Sequence, residues 1–302
     1  MRAILASLLM LASATLACLG VAGAFVDGLA TTAGPMRGIA GPLAKDPALA
    51  EALAPRLVAA ITEQVPGQIA LPSAAEPLLE RAATAAVEKV AAAPGFEDAW
   101  LQSIDLTRED YVAQLGMVQE GTADNAGVVL DLGPIVSLGY EQLRDAAGAF
   151  GLGALVEGVS SDQTVGVDLG VPAEDDPLQR PIAAAVAQAG QWGWYAAGSA
   201  AVCLLALAVA GRRRWLALAF GGAVAGGAGL AAWLWAADLA ASGAAAGTDP
   251  GGDPLARLVR DTLVSGLGTE LVPWGAWTAA AGAVVVVVSM VTHALSRRRP
   301  TR

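Results

Sequence analysis

The sequence predicts a mainly α-helical protein: four transmembrane helices plus an extracytoplasmic helical domain with a small two-stranded β-ribbon. Three observations predict it. First, the chain of 302 residues is 55% hydrophobic with a mean hydropathy of +0.53, too apolar for an ordinary soluble protein. Second, four stretches lack Asp, Glu, Lys and Arg altogether: Ile4 to Val26, Trp192 to Ala210, Trp215 to Ala237 and Pro273 to Leu295, of 23, 19, 23 and 23 residues. At about 1.5 Å per residue each makes a helix of roughly 28 to 35 Å, enough for a hydrocarbon core of about 30 Å. Third, seven of the eight Trp residues stand at the ends of these stretches: Trp192, Trp194, Trp215, Trp233, Trp235, Trp274 and Trp277. Indole rings favour the headgroup level, so they mark the last three spans independently of hydropathy.

Orientation follows from the basic residues, which are retained on the cytoplasmic side when they lie close to a span. Arg2 precedes the first span, Arg212 to Arg214 fill the turn between the second and third, and Arg297, Arg298, Arg299 and Arg302 follow the fourth. That side carries eight basic and no acidic residues. The other side comprises residues 27–191, with 8 basic and 23 acidic residues, and residues 238–272, with 2 and 5. The division is about +8 against about −18. The predicted organisation is therefore an N-terminal transmembrane helix or uncleaved signal anchor (1–26), an extracytoplasmic helical domain (27–191), a transmembrane hairpin (192–237), an extracytoplasmic loop (238–272), and a last helix with a basic cytoplasmic tail (273–302).

The first stretch has two rival readings. Ala22-Gly23-Ala24 fits the small-x-small pattern of signal-peptide cleavage, although the apolar run is longer than usual for one. A lipoprotein at Cys18 would need a preceding box that Thr15-Leu16-Ala17 matches poorly. Either way, the following domain ends outside. Cys18 and Cys203 are the only cysteines and both lie within spans, so residues 27–191 contain no disulfide. That domain is expected to hold together through its core.

Along the chain, Thr31 to Pro42 is rich in Gly, Thr and Pro and reads as a linker. Asp46-Pro47 offers an N-cap and a first-turn proline, followed by Leu49, Leu53, Leu57, Ile61 and Val65 on one helical face, with Pro55 expected to kink it. Ser73 and Glu76 form a capping-box pattern before a second helix ending at Pro94-Gly95. Phe96, Trp100 and Ile104 begin a third, which Thr107 with Asp110 is expected to re-cap before Tyr111, Leu115 and Val118. The short β-branched segments Gly127 to Gly133 and Thr164 to Leu169 are expected to pair around a helix from Pro134 to Phe150. Asp175-Asp176-Pro177 opens a helix running through Pro181 directly into Trp192. In the loop 238–272, Asp253-Pro254 caps an amphipathic stretch with Leu255, Leu258, Val259, Thr262 and Leu263 on one side. Two placements remain open for it, on the bilayer surface or under the larger domain.

An N-terminal span, an external domain containing Pro94-x-Phe96-x-x-x-Trp100 and the element Val128 to Pro134, and three C-terminal spans together resemble a group of uncharacterised actinobacterial integral membrane proteins. The resemblance covers nearly the whole chain through short, mostly apolar motifs. It departs at Gly28 to Gly34, where the group carries acidic and aromatic residues. It implies this architecture and no activity.

The chemistry is sparse. His293, the single histidine, stands at the cytoplasmic end of the last span, four residues before Arg297, and reads as an interfacial side chain. With neither His nor Cys in residues 27–191, histidine zinc sites and Ser-His or Cys-His catalysis are excluded there. Lys45 and Lys89 follow Ala44 and Glu88, so no phosphate-binding loop is present. Neither Ser-x-x-Lys nor Gly-x-Ser-x-Gly occurs. Carboxylates are the one catalytic type available: Glu97 with Asp98, Glu109 with Asp110, and Glu174-Asp175-Asp176. The first two pairs read as solvated helix faces and the third as the acidic start of a helix. Asp131 and Asp168 read as strand terminators. No span has an internal charge, and Gly222 with Gly226 reads as a close helix-packing face.

No catalytic, metal or cofactor residue is therefore assigned. The expectation is a non-enzymatic envelope module held in the lipid bilayer, whose external domain binds a protein, lipid or cell-wall component. An acidic surface opposes nucleic-acid binding. The alternatives are a transporter or transporter accessory for an apolar substrate, and a carboxylate hydrolase resting on Glu97 or Asp110.

Overall fold

In the computed structural model the described residues are 2–68, 89–149, 166–169, 179–211, 214–243 and 253–297. They form helices α1 (Arg2–Thr31), α2 (Ala33–Ala40), α3 (Pro47–Gln68), α4 (Phe96–Glu120), α5 (Gly133–Ala149), α6 (Gln179–Ala189), α7 (Trp192–Ala210), α8 (Arg214–Gly243) and α9 (Pro254–Arg297). A 3₁₀ turn covers Gly41–Lys45, and β1 (Val129–Asp131) pairs antiparallel with β2 (Gly166–Asp168). The mainly helical fold with one small ribbon is as the sequence predicts. The chain divides into two compact units: an apolar unit of residues 1–32, 181–246 and 264–302, and an acidic unit of residues 33–180 and 247–263.

In the apolar unit, four helical segments are long and apolar enough to cross a membrane: Ile4–Thr31, Trp192–Ala210, Arg214–Ala241 and Pro254–Ala294, the last beginning in the acidic unit. Their outer surfaces expose Leu8, Leu204, Phe220, Val287 and Trp277, a covering compatible with a multi-pass membrane protein and unfavourable in water. Three helices outrun the charge-free stretches that predicted them. The α1 helix continues past Val26 to Thr31, α8 past Ala237 to Gly243, and α9 begins nineteen residues before Pro273 and passes through it. Hydropathy marks where lipid would be, whereas the Ala- and Leu-rich flanks keep the helix going. Proline inside a long apolar helix costs one backbone hydrogen bond and is tolerated there.

Small residues set the packing of this unit. On α1, an added Cβ at Gly20 would meet the backbone of Ala196 on α7 at 3.4 Å, and one at Gly23 the Trp192 Cβ at 3.1 Å. Ser13 and Ser199 lock the same two helices: each hydroxyl donates to the other residue's backbone carbonyl at 2.9 Å. Between α8 and α9, a Cβ at Gly282 would lie 2.5 Å from the Gly226 Cα, and one at Gly222 2.9 Å from the Gly282 carbonyl oxygen. The backbones touch, as the spacing of Gly222 and Gly226 predicts.

The acidic unit is built around Trp100, which is fully buried. Leu49, Leu53 and Leu57 of α3, Phe96 and Ile104 of α4, Leu130 of β1, Ile135 of α5 and Val167 of β2 surround it in one cluster. Leu255 and Val259 of α9 belong to the same cluster, so the amphipathic stretch after Asp253 lies within this unit's core. Burial of each such side chain contributes about 1.5 to 3 kcal/mol.

Several local expectations are corrected. Thr31 to Pro42 is no linker: it is helical but for Thr32 and buries Ile39 and Ala40, because Met36, Ala40 and Leu43 have a core to join. The α4 helix is continuous from Phe96 to Glu120, with no break at Thr107. It begins at Gly95 (φ 99°) and ends at Gly121 (φ 73°), whose left-handed backbone lets the Thr122 N–H reach back to the Met117 carbonyl at 2.9 Å. The α6 helix does not run into α7: a turn at Gly190 and Gln191 separates them. Helix α3 passes through Pro55. The helix predicted from Ser73, the acidic run Glu174 to Asp176, Arg212, Arg213, and Arg298 onward lie outside the described residues, as do the side chains of Ile61 and Val65.

Candidate functional site

The carboxylates that the sequence offers on α4 are spread along the helix, and Glu97, Glu109 and Asp110 each have a partner. Glu97 and Asp98 stand in the first turn of α4, where negative charge meets the positive end of the helix dipole, and Glu97 pairs with Lys45 at 3.2 Å. Glu109 pairs with its neighbour Arg108 at 2.9 Å, and Asp110 accepts a 2.7 Å hydrogen bond from the Gln114 amide one helical turn on. Neither pair is brought to the other. Among the described residues, no three His, Cys, Asp or Glu side chains converge as a metal centre would require.

Three other aspartates hold the fold. Asp46 Oδ1 accepts the Ala48 N–H at 2.9 Å and caps α3. Asp131 Oδ1 accepts the Gly133 N–H at 2.7 Å and caps α5 while ending β1. Asp253 caps α9 through the Leu255 N–H at 3.1 Å, and its second oxygen takes a 2.7 Å hydrogen bond from Arg56 on α3. Caps of this kind contribute about 0.5 to 2 kcal/mol each. Asp168 ends β2 opposite Val129.

Arg37 on α2 grips Asp105 on α4, its Nε donating to both carboxylate oxygens at 3.2 and 3.0 Å. Hydrogen bonding to Asp105, and then its charge, push the guanidinium pKa above its ordinary value. Burial raises the Tyr140 phenol, because desolvation penalises the phenolate.

Among the described residues of the acidic unit, two recesses have charged side chains in their walls. One, of about 440 Å³, lies between Lys45, Asp46 and Glu97. The other, of about 300 Å³, lies between Gln119, Asp124 and Arg180. A recess of different character lies within the apolar unit. It measures about 460 Å³ and is walled by Cys18 and Phe25 of α1, Ala232 and Trp235 of α8, and Trp274 and Thr278 of α9. That volume falls in the range of roughly 300 to 1,000 Å³ typical of small-molecule sites. Close contacts within the lining set the positions of its walls. Gly229 of α8 would place a Cβ 2.5 Å from the Ala279 nitrogen, Gly275 of α9 would place one 2.7 Å from the Trp233 nitrogen, and the Phe25 ring stands edge-on to Trp274 at 6.5 Å.

Sequence reasoning missed this recess. Its walls come from segments separated by more than 200 residues, and the signals it left, paired glycines and terminal Trp residues, also serve helix packing and interfacial anchoring. No family model, no curated protein and no solved structure matches the chain.

Proposed function

We propose that the chain is a multi-pass protein of the cell membrane that holds its acidic helical unit on the extracytoplasmic side, as a non-enzymatic module binding another envelope component. Membership of the uncharacterised actinobacterial group it resembles is part of the same proposal.

The charge division carries the reading. The acidic unit has 25 acidic and 10 basic residues, whereas the apolar unit has 8 basic residues, all at its N-terminus, in the α7–α8 turn and in the C-terminal tail. Basic residues in such short flanks are those retained in the cytoplasm. The absence of an enzymatic role is supported by the work the carboxylates already do: Glu97, Asp105, Asp131 and Asp253 are engaged in ion pairs or caps.

Sidedness is tested with Glu120→Cys, at an exposed position at the end of α4. A membrane-impermeant thiol reagent should label it in intact cells. Labelling only after lysis would reverse the orientation. In-cell cross-linking of the full chain followed by mass spectrometry should recover an envelope partner through the acidic unit, and cross-links confined to cytoplasmic proteins would sink the binding role. A second reading, transport of an apolar solute, is favoured by the recess between α1, α8 and α9. It predicts solute flux in proteoliposomes.

A further inference from the structure

The 460 Å³ recess of the apolar unit has features that specify an occupant. It is not slack between loosely packed helices. Gly229 and Gly275, both in its lining, bring α8 and α9 to backbone contact, and Phe25 braces α1 against Trp274. The opening is thus fixed by contacts on either side of it. Apart from the Thr278 hydroxyl, which donates to the Trp274 carbonyl at 2.8 Å, and the Trp235 and Trp274 indole N–H groups, the lining is Val, Leu, Ala, Gly, Phe and Cys. A fixed apolar gap in helices that cross a bilayer is open to the hydrocarbon around it, and indole rings at its rim match the boundary between chains and headgroups.

Charge decides which headgroup can sit there. The apolar unit contains only three acidic residues, Asp27, Asp238 and Glu270. Each lies within three residues of the lining, next to Val26, one turn beyond Trp235 and next to Leu271, respectively. The described basic residues of the unit, Arg2, Arg214 and Arg297, fall at the opposite ends of α1, α8 and α9. An anionic headgroup at this end would meet like charges and no described cation of the unit. A zwitterionic or neutral one would meet no such repulsion, and an ammonium group would be attracted.

We propose that the recess between α1, α8 and α9 holds the hydrocarbon chain of a membrane amphiphile with a zwitterionic or neutral headgroup, in preference to an anionic one. This rests on the four helices crossing the membrane and not on which side the acidic unit occupies.

Cys18 in the lining supplies the probe. Full-length protein with Cys203→Ala is stripped of lipid in cholate, an anionic detergent without an alkyl chain, and alkylation of Cys18 by N-ethylmaleimide is timed with dioleoyl phosphatidylethanolamine or dioleoyl phosphatidylglycerol added. The ethanolamine lipid should slow the reaction about tenfold, equivalent to about 1.4 kcal/mol of occupancy, and the glycerol lipid less. Native mass spectrometry should retain one ethanolamine lipid per chain, lost in Ala232→Phe, whose ring fills the recess from an exposed helix position. The proposal is overturned if neither lipid protects Cys18, or if Ala232→Phe retains lipid as the parent does. Protection in the lipid-free protein that tracks a dimer would assign the recess to a second copy instead. Equal protection by both lipids would overturn the headgroup preference. Were the chain to remain soluble without detergent, the membrane-crossing premise itself would have failed, before any lipid was added.

Discussion

The indole N–H of Trp100 donates a 2.8 Å hydrogen bond to the carbonyl oxygen of Ala40, sixty residues earlier, and both residues are fully buried. Ala40 is also the N-cap of the 3₁₀ turn Gly41–Lys45, so the indole is a second, side-chain donor to the carbonyl that opens that turn. The bond ties the segment after α1 to the core of the acidic unit. Trp100→Phe should therefore cost the hydrogen bond as well as the lost area, about 0.5 to 1.5 kcal/mol for the bond. Trp100→Ala should cost about 3 to 5 kcal/mol. Chemical unfolding of the full chain in detergent checks both, and a Trp100→Phe protein as stable as its parent would show the bond to be dispensable.

Thr107 joins helix to ribbon. Its hydroxyl donates to the Ser103 carbonyl at 2.8 Å and accepts the Asp131 N–H at 3.0 Å. Thr107→Val keeps the shape and removes both bonds, leaving the Asp131 amide unsatisfied. A loss of about 1 to 3 kcal/mol is expected, with Thr107→Ser close to the parent. Hydrogen exchange at the Asp131 amide is the direct readout, and it should accelerate in the valine variant alone.

The α8–α9 contact makes an opposed pair of glycine predictions. Gly282→Ala would place a methyl 2.5 Å from Gly226 Cα and force the helices apart, for about 1 to 3 kcal/mol. Gly227→Ala, on the same helix as Gly226 but with nothing within 4 Å of the new methyl, should be neutral or stabilising by up to about 1 kcal/mol. Thermal unfolding in detergent should separate the two, and equal effects would mean that the backbones do not touch.

Tyr140 gives a pH dependence. Its folded pKa is raised above the ordinary 10.0 by burial, so the folded state holds its proton after the unfolded chain has lost it. The contribution to stability is fully present below pH 10 and is lost as pH rises from there through the folded value. Tyr140→Phe should remove that decline, seen as a flatter plot of unfolding midpoint against pH above 10. An unchanged slope would assign the alkaline loss to other groups.

Much of this fold could be read from local chemistry. Asp46-Pro47 and Asp253-Pro254 announced two helix starts because an acidic cap followed by proline satisfies the same orphan amides wherever it occurs. The ribbon was visible because β-branched residues between glycines have few other uses. What escaped depended on distant partners. Thr107 with Asp110 mimics a cap, but the hydroxyl is spent on Ser103 and Asp131. The glycines and prolines of residues 31–42 suggested an unstructured connection, but Met36, Ala40 and the following Leu43 pack in the Trp100 cluster. Gly190 carried a stop signal that the unbroken apolar periodicity around it concealed. Caps and helix faces are short-range facts, whereas a recess between three helices exists only after they assemble.

The reciprocal bonds between Ser13 and Ser199 bear on the order in which the chain is made. The two residues are 186 positions apart, so α1 leaves the ribosome long before α7 exists. Until then Ser13 has only its own helix to satisfy its hydroxyl, and Gly20 and Gly23 offer a groove with nothing in it. Helices that enter a bilayer singly and associate afterwards meet this situation routinely. Here it makes the seating of α1 a late event in biogenesis. In the multi-pass arrangement proposed above, a chain interrupted before residue 199 would carry its first helix in the lipid as an unmated half.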